Sequence, residues 1–354
     1  MPSSGPGRVV FNPCNICAKG PNMSHTPPRI MPKPFNTAPK GIWRATPPAI
    51  FPPIMGLLGL GLAWRNAAKV MPAPEWIGEM ILGPVSLLYV FALVAYFAKV
   101  ARRPGVVADD LRILPGRAGL SAGAASGFLF AAVLVPYSVA FAKTVLVLAL
   151  AAQVIVALLT IRSFALGPVE QRRVTPVWHL TFVGFIIAPL AAVPLGWIGL
   201  SQFIFATTLP IAAAIYVISA VQFAKSDVPP PLRPLLAIHL SPLSLFGIVA
   251  TLLGYTTLAV AFAWVGLTVF IVALLAIRYL TKGDFSALWG AFTFPLVAFV
   301  NLMLAATTVS PTPFRVIGGL VLVAASLVIV YIAAKIIQLW TKGKLSKATN
   351  AASV

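Results

Sequence analysis

The sequence predicts an all-α polytopic membrane protein: ten transmembrane helices in five helical hairpins, with an inner ring of five kinked helices around a pore and an outer ring of five. Three observations carry that prediction: an apolar composition, a one-sided distribution of loop cations, and an alternation of glycine and proline content between successive apolar runs. Of 354 residues, 59% are hydrophobic and 9% charged, against about 25% charged in a soluble domain. That composition excludes a water-soluble globule of this size. At about 20 apolar residues per ~30 Å span, the chain has room for ten spans and two tails.

Residues 1–45 hold no apolar run and are punctuated by Pro2, Pro6, Pro13, Pro21, Pro27, Pro28, Pro32, Pro34 and Pro39, so a disordered tail is expected. Nothing there has the apolar core and cleavage site of a secretory signal, which leaves the first span to direct insertion. From residue 46 the runs are placed near 46–64, 75–98, 116–134, 139–161 and 176–194. Five more follow near 197–223, 232–252, 254–280, 286–307 and 314–341, making residues 46–341 one membrane domain and 342–354 a C-terminal tail.

The net charge of +19 raises the question of nucleic acid. Placement answers it: the basic residues stand singly or in pairs in short loops, the pattern by which a membrane protein marks its cytoplasmic side. Twenty-two of the 26 Lys and Arg fall on one side of the ten-span scheme, leaving Arg65, Lys69, Lys143 and Arg315 on the other. Both termini are therefore expected in the cytoplasm, which requires an even number of spans.

Odd and even spans differ. The odd ones hold 20 Gly and Pro in 100 residues, the even ones 9 in 129. Even spans such as 139–161 are unbroken aliphatic stretches suited to lipid, whereas interrupted helix is tolerated at membrane depth only against protein or a cavity. Hence the odd spans are assigned to the inner ring. Pro52, Pro53, Pro189, Pro242 and Pro295 interrupt four of them. The third carries Gly119, Gly123 and Gly127, spaced for close helix approach. Pro53, Gly123, Pro189, Pro242 and Pro295 are thus candidate pore-lining or kink positions. Arg44-Ala-Thr-Pro47 is echoed by Arg173-Val-Thr-Pro176, which suggests Thr as N-cap and Pro at the first helical position.

None of the seven acidic residues lies deep in a span: Glu75 and Glu79 begin the second, and Asp109, Asp110, Glu170, Asp227 and Asp284 fall in loops. A carboxylate relay for ion coupling needs an intramembrane acid, so a passive pathway is favoured. No catalytic set or phosphate-binding loop is present, and no enzyme is expected. His179 and His239 are the ionisable groups within odd spans. They read either as pH-sensitive groups facing the path or as neutral rings bonded to a backbone carbonyl. Cys14-Asn-Ile-Cys17, with His25 downstream, has metal spacing but no second pair, so neither metal nor cofactor is expected.

The run Trp289-Gly-Ala-Phe-Thr-Phe-Pro295, the first span Pro47-Pro-Ala-Ile-Phe-Pro-Pro-Ile-Met-Gly-Leu-Leu-Gly-Leu-Gly-Leu-Ala-Trp64 and the ending Leu339-Trp-Thr-Lys-Gly343 resemble the tellurite-resistance and dicarboxylate transporter family. That family includes bacterial tellurite-resistance protein A and the plant slow anion channels. The resemblance implies five hairpins, a homotrimer with one pore per subunit in a bacterial inner membrane, and an anion path closed by a phenylalanine, here Phe294. Gly290 departs from the family's immediate Trp-Ala step, which makes Phe292 a rival for that role. An apolar path flanked by a basic face would concentrate small anions. The leading expectation is a passive anion channel or uniporter. The alternatives are a carrier of C4-dicarboxylates or tellurite-type oxyanions, including one coupled to protons through His179 or His239, and a membrane subunit without transport of its own.

The cation asymmetry predicts that reporter fusions after Thr349 and within residues 65–74 fall on opposite sides of the membrane. Reporters on the same side would break the ten-span scheme.

Overall fold

The computed structural model describes residues 43–354; Cys14, Cys17, His25 and the tail segment around them lie outside the described residues. Among the described residues every regular element is helical. A 3₁₀ turn, Pro48–Ile50, runs into α1 (Phe51–Val70). Then come α2 (Glu75–Arg102), the short α3 (Val106–Arg112), α4 (Leu114–Leu134) and α5 (Val139–Leu166). A composite segment follows: π-helix His179–Val183, 3₁₀ turn Gly184–Ile187 and α6 (Pro189–Ala192). After α7 (Ile198–Lys225), a 3₁₀ stretch Pro230–His239 leads into α8 (Leu240–Leu252), then α9 (Thr256–Leu275) and α10 (Ile277–Leu280). A last 3₁₀ stretch, Ala287–Phe292, leads into α11 (Thr293–Ala306), followed by α12 (Pro311–Thr341) and α13 (Leu345–Ala348).

Eight of these segments are long and apolar enough to cross a membrane: 75–102, 114–134, 139–166, 198–225, 230–252, 256–275, 287–306 and 313–341. The ten runs expected from the sequence include two more that differ in kind. α1 is long enough, but Pro52, Pro53, three glycines, Arg65, Asn66 and Lys69 dilute it, and 179–192 is short. Both are covered by protein. A segment shielded by its neighbours need not be apolar enough to face lipid.

Burial alternates as the glycine and proline content does. In 114–134, 230–252 and 287–306, 67% to 78% of the most apolar stretch is buried, against 17% to 33% in the other five. α1 belongs with the buried set. The buried segments contact one another in a closed cycle: α1 with α4, α4 with 179–192, 179–192 with α8, α8 with α11, and α11 with α1. Each also packs against the continuous helix that follows it in sequence. Glycine permits the close approaches. A Cβ on Gly119 would lie 2.3 Å from the Pro48 carbonyl, and one on Gly56 would lie 2.4 Å from Thr293.

The predicted kinks are changes of helix type. In four buried segments a 3₁₀ stretch gives way to α-helix, and proline occupies the first turn of the α part: Pro52 and Pro53 in α1, Pro189 in α6, Pro242 in α8 and Pro295 in α11. Proline is accommodated there because its missing N–H is an orphan donor anyway. The wide π turn leaves carbonyls off the usual ladder, and Gln153 of α5 repairs this: its Nε2 donates to the carbonyls of Leu180 and Thr181, both at 2.9 Å. The expected Thr46 cap is not formed. Its hydroxyl donates to the Trp43 carbonyl at 3.2 Å, and Pro47 precedes the 3₁₀ turn without a side-chain cap.

At the end where α1 begins lies a buried ion pair that sequence reading assigned to a loop. Lys99 Nζ is 2.8 Å from Asp110 Oδ2, and both side chains are fully buried. The Tyr96 hydroxyl donates to the same oxygen at 3.0 Å, the Ala352 N–H donates to Asp110 Oδ1 at 2.9 Å, and Lys99 also reaches the Thr46 carbonyl at 3.0 Å. The Val354 N–H bonds the Arg44 carbonyl at 3.1 Å, so both ends of the helical domain meet on one face, as an even number of crossings requires.

Removing one partner of such a pair strands a buried charge, typically at about 3–5 kcal/mol. Asp110→Ala should therefore lower thermal stability sharply, while Lys99→Met with Asp110→Leu should recover most of it. Equal losses in the single and double variants, by thermal unfolding in detergent, would contradict this account.

Candidate functional site

The five buried segments enclose cavities, and one side chain is common to three of them. Phe294, in the first turn of α11 and 5% exposed, lines all three. The largest, about 520 Å³, is bounded by the C-terminal halves of the buried segments, including Gly59 and Leu62 of α1, Leu129 and Ala132 of α4, Leu190, Leu245 and Ile248 of α8, and Ala298 and Asn301 of α11. The second, about 30 Å³, is bounded by their N-terminal halves, among them Pro52, Ala118, Leu180, Ile238 and Pro295. A third, about 10 Å³, lies against His179, Ser241 and Pro242. A roomy chamber and a nearly closed one thus share the Phe294 ring as a wall.

Local sequence explains the ring's position. Thr293 ties the 3₁₀ stretch to α1, donating to the Gly290 carbonyl at 2.7 Å and the Pro52 carbonyl at 3.1 Å. A Cβ on Gly290 would lie 3.3 Å from Pro52 and Pro53, so its small size suits the crossing. Phe294 rests beside Gly59, where a Cβ would stand 3.6 Å from the ring. Phe292, the rival position, stacks edge-on against Trp289 with centroids 5.7 Å apart and lines none of the three cavities.

The other sequence candidates separate. Pro242 and Pro295 line the cavities. Pro53 and Pro189 are buried at their helix starts. Gly123 lies behind the wall: a Cβ there would meet the Phe51 ring at 3.0 Å, and its carbonyl accepts from Tyr89 at 2.9 Å. His179 and His239 bond each other, Nε2 to Nδ1 at 3.1 Å, so the carbonyl-bonded reading of the two rings is corrected. The His239 carbonyl instead accepts from Tyr216. Their mutual bond could not be read from positions sixty residues apart.

No acidic side chain lines the three cavities. The large chamber carries Arg65 and Lys69, with Asn66 and Asn301 bonded to each other at 3.0 Å. Arg65 is held by Glu79 at 2.7 and 2.9 Å. Tyr137 also donates to Glu79, and that bond to a carboxylate holds its phenol above the usual range. At the opposite end, Arg117 sits under the Phe164 ring at 5.1 Å and Arg233 over Tyr279 at 4.0 Å. Arg233 pairs with Asp227 at 2.8 Å. A hydrogen bond from Tyr279, with Arg233 close by, keeps the Asp227 carboxyl below the ordinary range. These cations are anchored by partners outside the chambers. Among the described residues no cluster of His, Cys, Asp and Glu could hold a metal ion.

No curated protein matches the chain. A family model described as voltage-dependent anion channel matches residues 45–337, the whole stretch from the first 3₁₀ turn into α12. The match agrees with the resemblance carried by the first, ninth and tenth runs, so the chain belongs to the voltage-dependent anion channel family, within the tellurite-resistance and dicarboxylate transporter group.

Proposed function

We propose that this protein is a passive channel or uniporter for small anions in a bacterial inner membrane. In this reading α1 and 179–192 complete ten crossings, the five buried segments form a ring about the path, both termini are cytoplasmic, and Phe294 is the gate. The observation that carries the reading is the shared wall. Cavities bounded by opposite halves of all five buried segments are separated at one aromatic ring, with no acidic group along the way. Cations at both ends and low-dielectric walls between them favour anions over cations. The family's members are channels and transporters, and the side chains along the path include no nucleophile paired with a base, so a catalytic role has no support.

A carrier of C4-dicarboxylates is the second reading. The 520 Å³ chamber, with Arg65 and Lys69 on its wall, supports it by having room for such an ion. A homotrimer, as the family resemblance implies, would bury part of the exposed apolar surface of the outer helices, leaving the rest to lipid. Neither nucleic acid nor cofactor has a place in the proposal.

Planar-bilayer recording under chloride, nitrate and malate gradients tests it: unitary currents reversing at the anion potential are expected, and saturable counterflow without unitary current would favour the carrier. As gate, Phe294→Ala should assemble and conduct more than wild type, while Phe292→Ala should not. If the ring were a packing element only, its truncation would cost about 3–5 kcal/mol and yield poorly assembled protein. Unchanged or reduced conductance in folded Phe294→Ala would remove Phe294 as the gate.

A further inference from the structure

We propose that Ser241 and His179 form a two-donor site for one small monovalent anion on the wall of the path beside Phe294; the proposal rests on the anion-pathway reading above. Both residues are buried, at 3% and 2% exposure. Ser241 Oγ and His179 Nδ1 have no hydrogen-bond partner, a condition that buried polar groups ordinarily avoid and that calls for an occupant. Both residues line the same 10 Å³ cavity, which is otherwise apolar and bounded by Phe294. Its volume corresponds to about one water-sized occupant.

The orphaned hydroxyl has a structural cause. Elsewhere in the buried segments, Ser126, Ser244 and Thr251 donate to the carbonyl four residues back, at 2.7, 2.8 and 3.0 Å. Ser241 stands just after the 3₁₀ stretch Pro230–His239, where the tighter turn moves the carbonyls off the α-helical register. The orphaned ring nitrogen follows from the histidine pair. A neutral imidazole offers one donor and one acceptor. When His239 Nδ1 donates across the 3.1 Å contact, His179 Nε2 accepts and Nδ1 carries the proton. The cavity then meets one O–H and one N–H donor, with no carboxylate on its wall. Two neutral donors suit a partly dehydrated chloride- or nitrate-like anion that must also leave. They offer a cation nothing.

The test combines a binding map with selectivity. Crystals of the full chain grown in bromide should show an anomalous peak within hydrogen-bond distance of Ser241 Oγ and His179 Nδ1, and the peak should vanish in Ser241→Ala. In bilayers, Ser241→Ala and His179→Leu should each change the nitrate-to-chloride permeability ratio by about threefold or more, the size expected for losing one hydrogen bond to an ion. Density for water alone with no bromide peak overturns the proposal, as does a wild-type ratio in both variants. Ser241→Ala removes a single oxygen and carries the test if His179→Leu does not fold. The two readings fail separately: bromide at the site in a protein that passes no current supports the site and defeats the channel, whereas anion current with no bromide peak and an unaltered ratio does the reverse.

Discussion

A peptide group in hydrocarbon has no water to bond, so its hydrogen bonds must be met from within the protein. The rest of this architecture depends on that constraint. Four buried segments abandon the α-helical ladder for part of their length, and each is screened by a continuous helix that follows it. Where the departure is widest, at His179–Val183, a side chain from the screening helix supplies the missing donors: Gln153 bonds two carbonyls at once. Aliphatic monotony in α5 and α9 and irregularity in the segments they cover are two halves of one solution.

The same constraint governs charge. Burying an ion costs heavily unless it is paired and hydrogen-bonded. Lys99 and Asp110 satisfy this at the face where the ends of the helical domain meet. Arg117 and Arg233 lie against aromatic rings and keep their bonds outside the chambers. What remains along the path is apolar wall, a few neutral polar atoms and one aromatic constriction. Such a lining cannot hold an anion tightly, which agrees with transit rather than storage.

Much of this was legible in the sequence because composition and spacing respond directly to burial. Gly and Pro counts separate the covered segments from their lipid-facing partners, and apolar runs predict most element boundaries to within a few residues. Local rules failed where tertiary context decided. Thr46 had the position of a cap, yet its hydroxyl serves the Trp43 carbonyl. Asp110 sat in a polar loop, yet it is fully enclosed by α2, α4 and the C-terminal residues. The chambers at Phe294 combine residues from five segments, and the His179–His239 bond joins two of those segments; no local window contains such a set. The resemblance singled out Phe294, and its neighbour Gly290, which departs from the family pattern, occupies a crossing where little else fits.

The 3₁₀ stretch Ala287–Phe292 ends one residue before Phe294's own turn, and the two helix types differ as screws. A 3₁₀ helix advances about 2.0 Å and turns about 120° per residue, an α-helix about 1.5 Å and 100°. Over these six residues the difference accumulates to about 3 Å of length and about 120° of azimuth. The ring's direction around the axis is thereby geared to the winding of the turns beneath it. A modest change in hydrogen-bond register, held off the lipid by the surrounding helices, is enough geometry to swing an aromatic side chain from one side of a narrow passage to another.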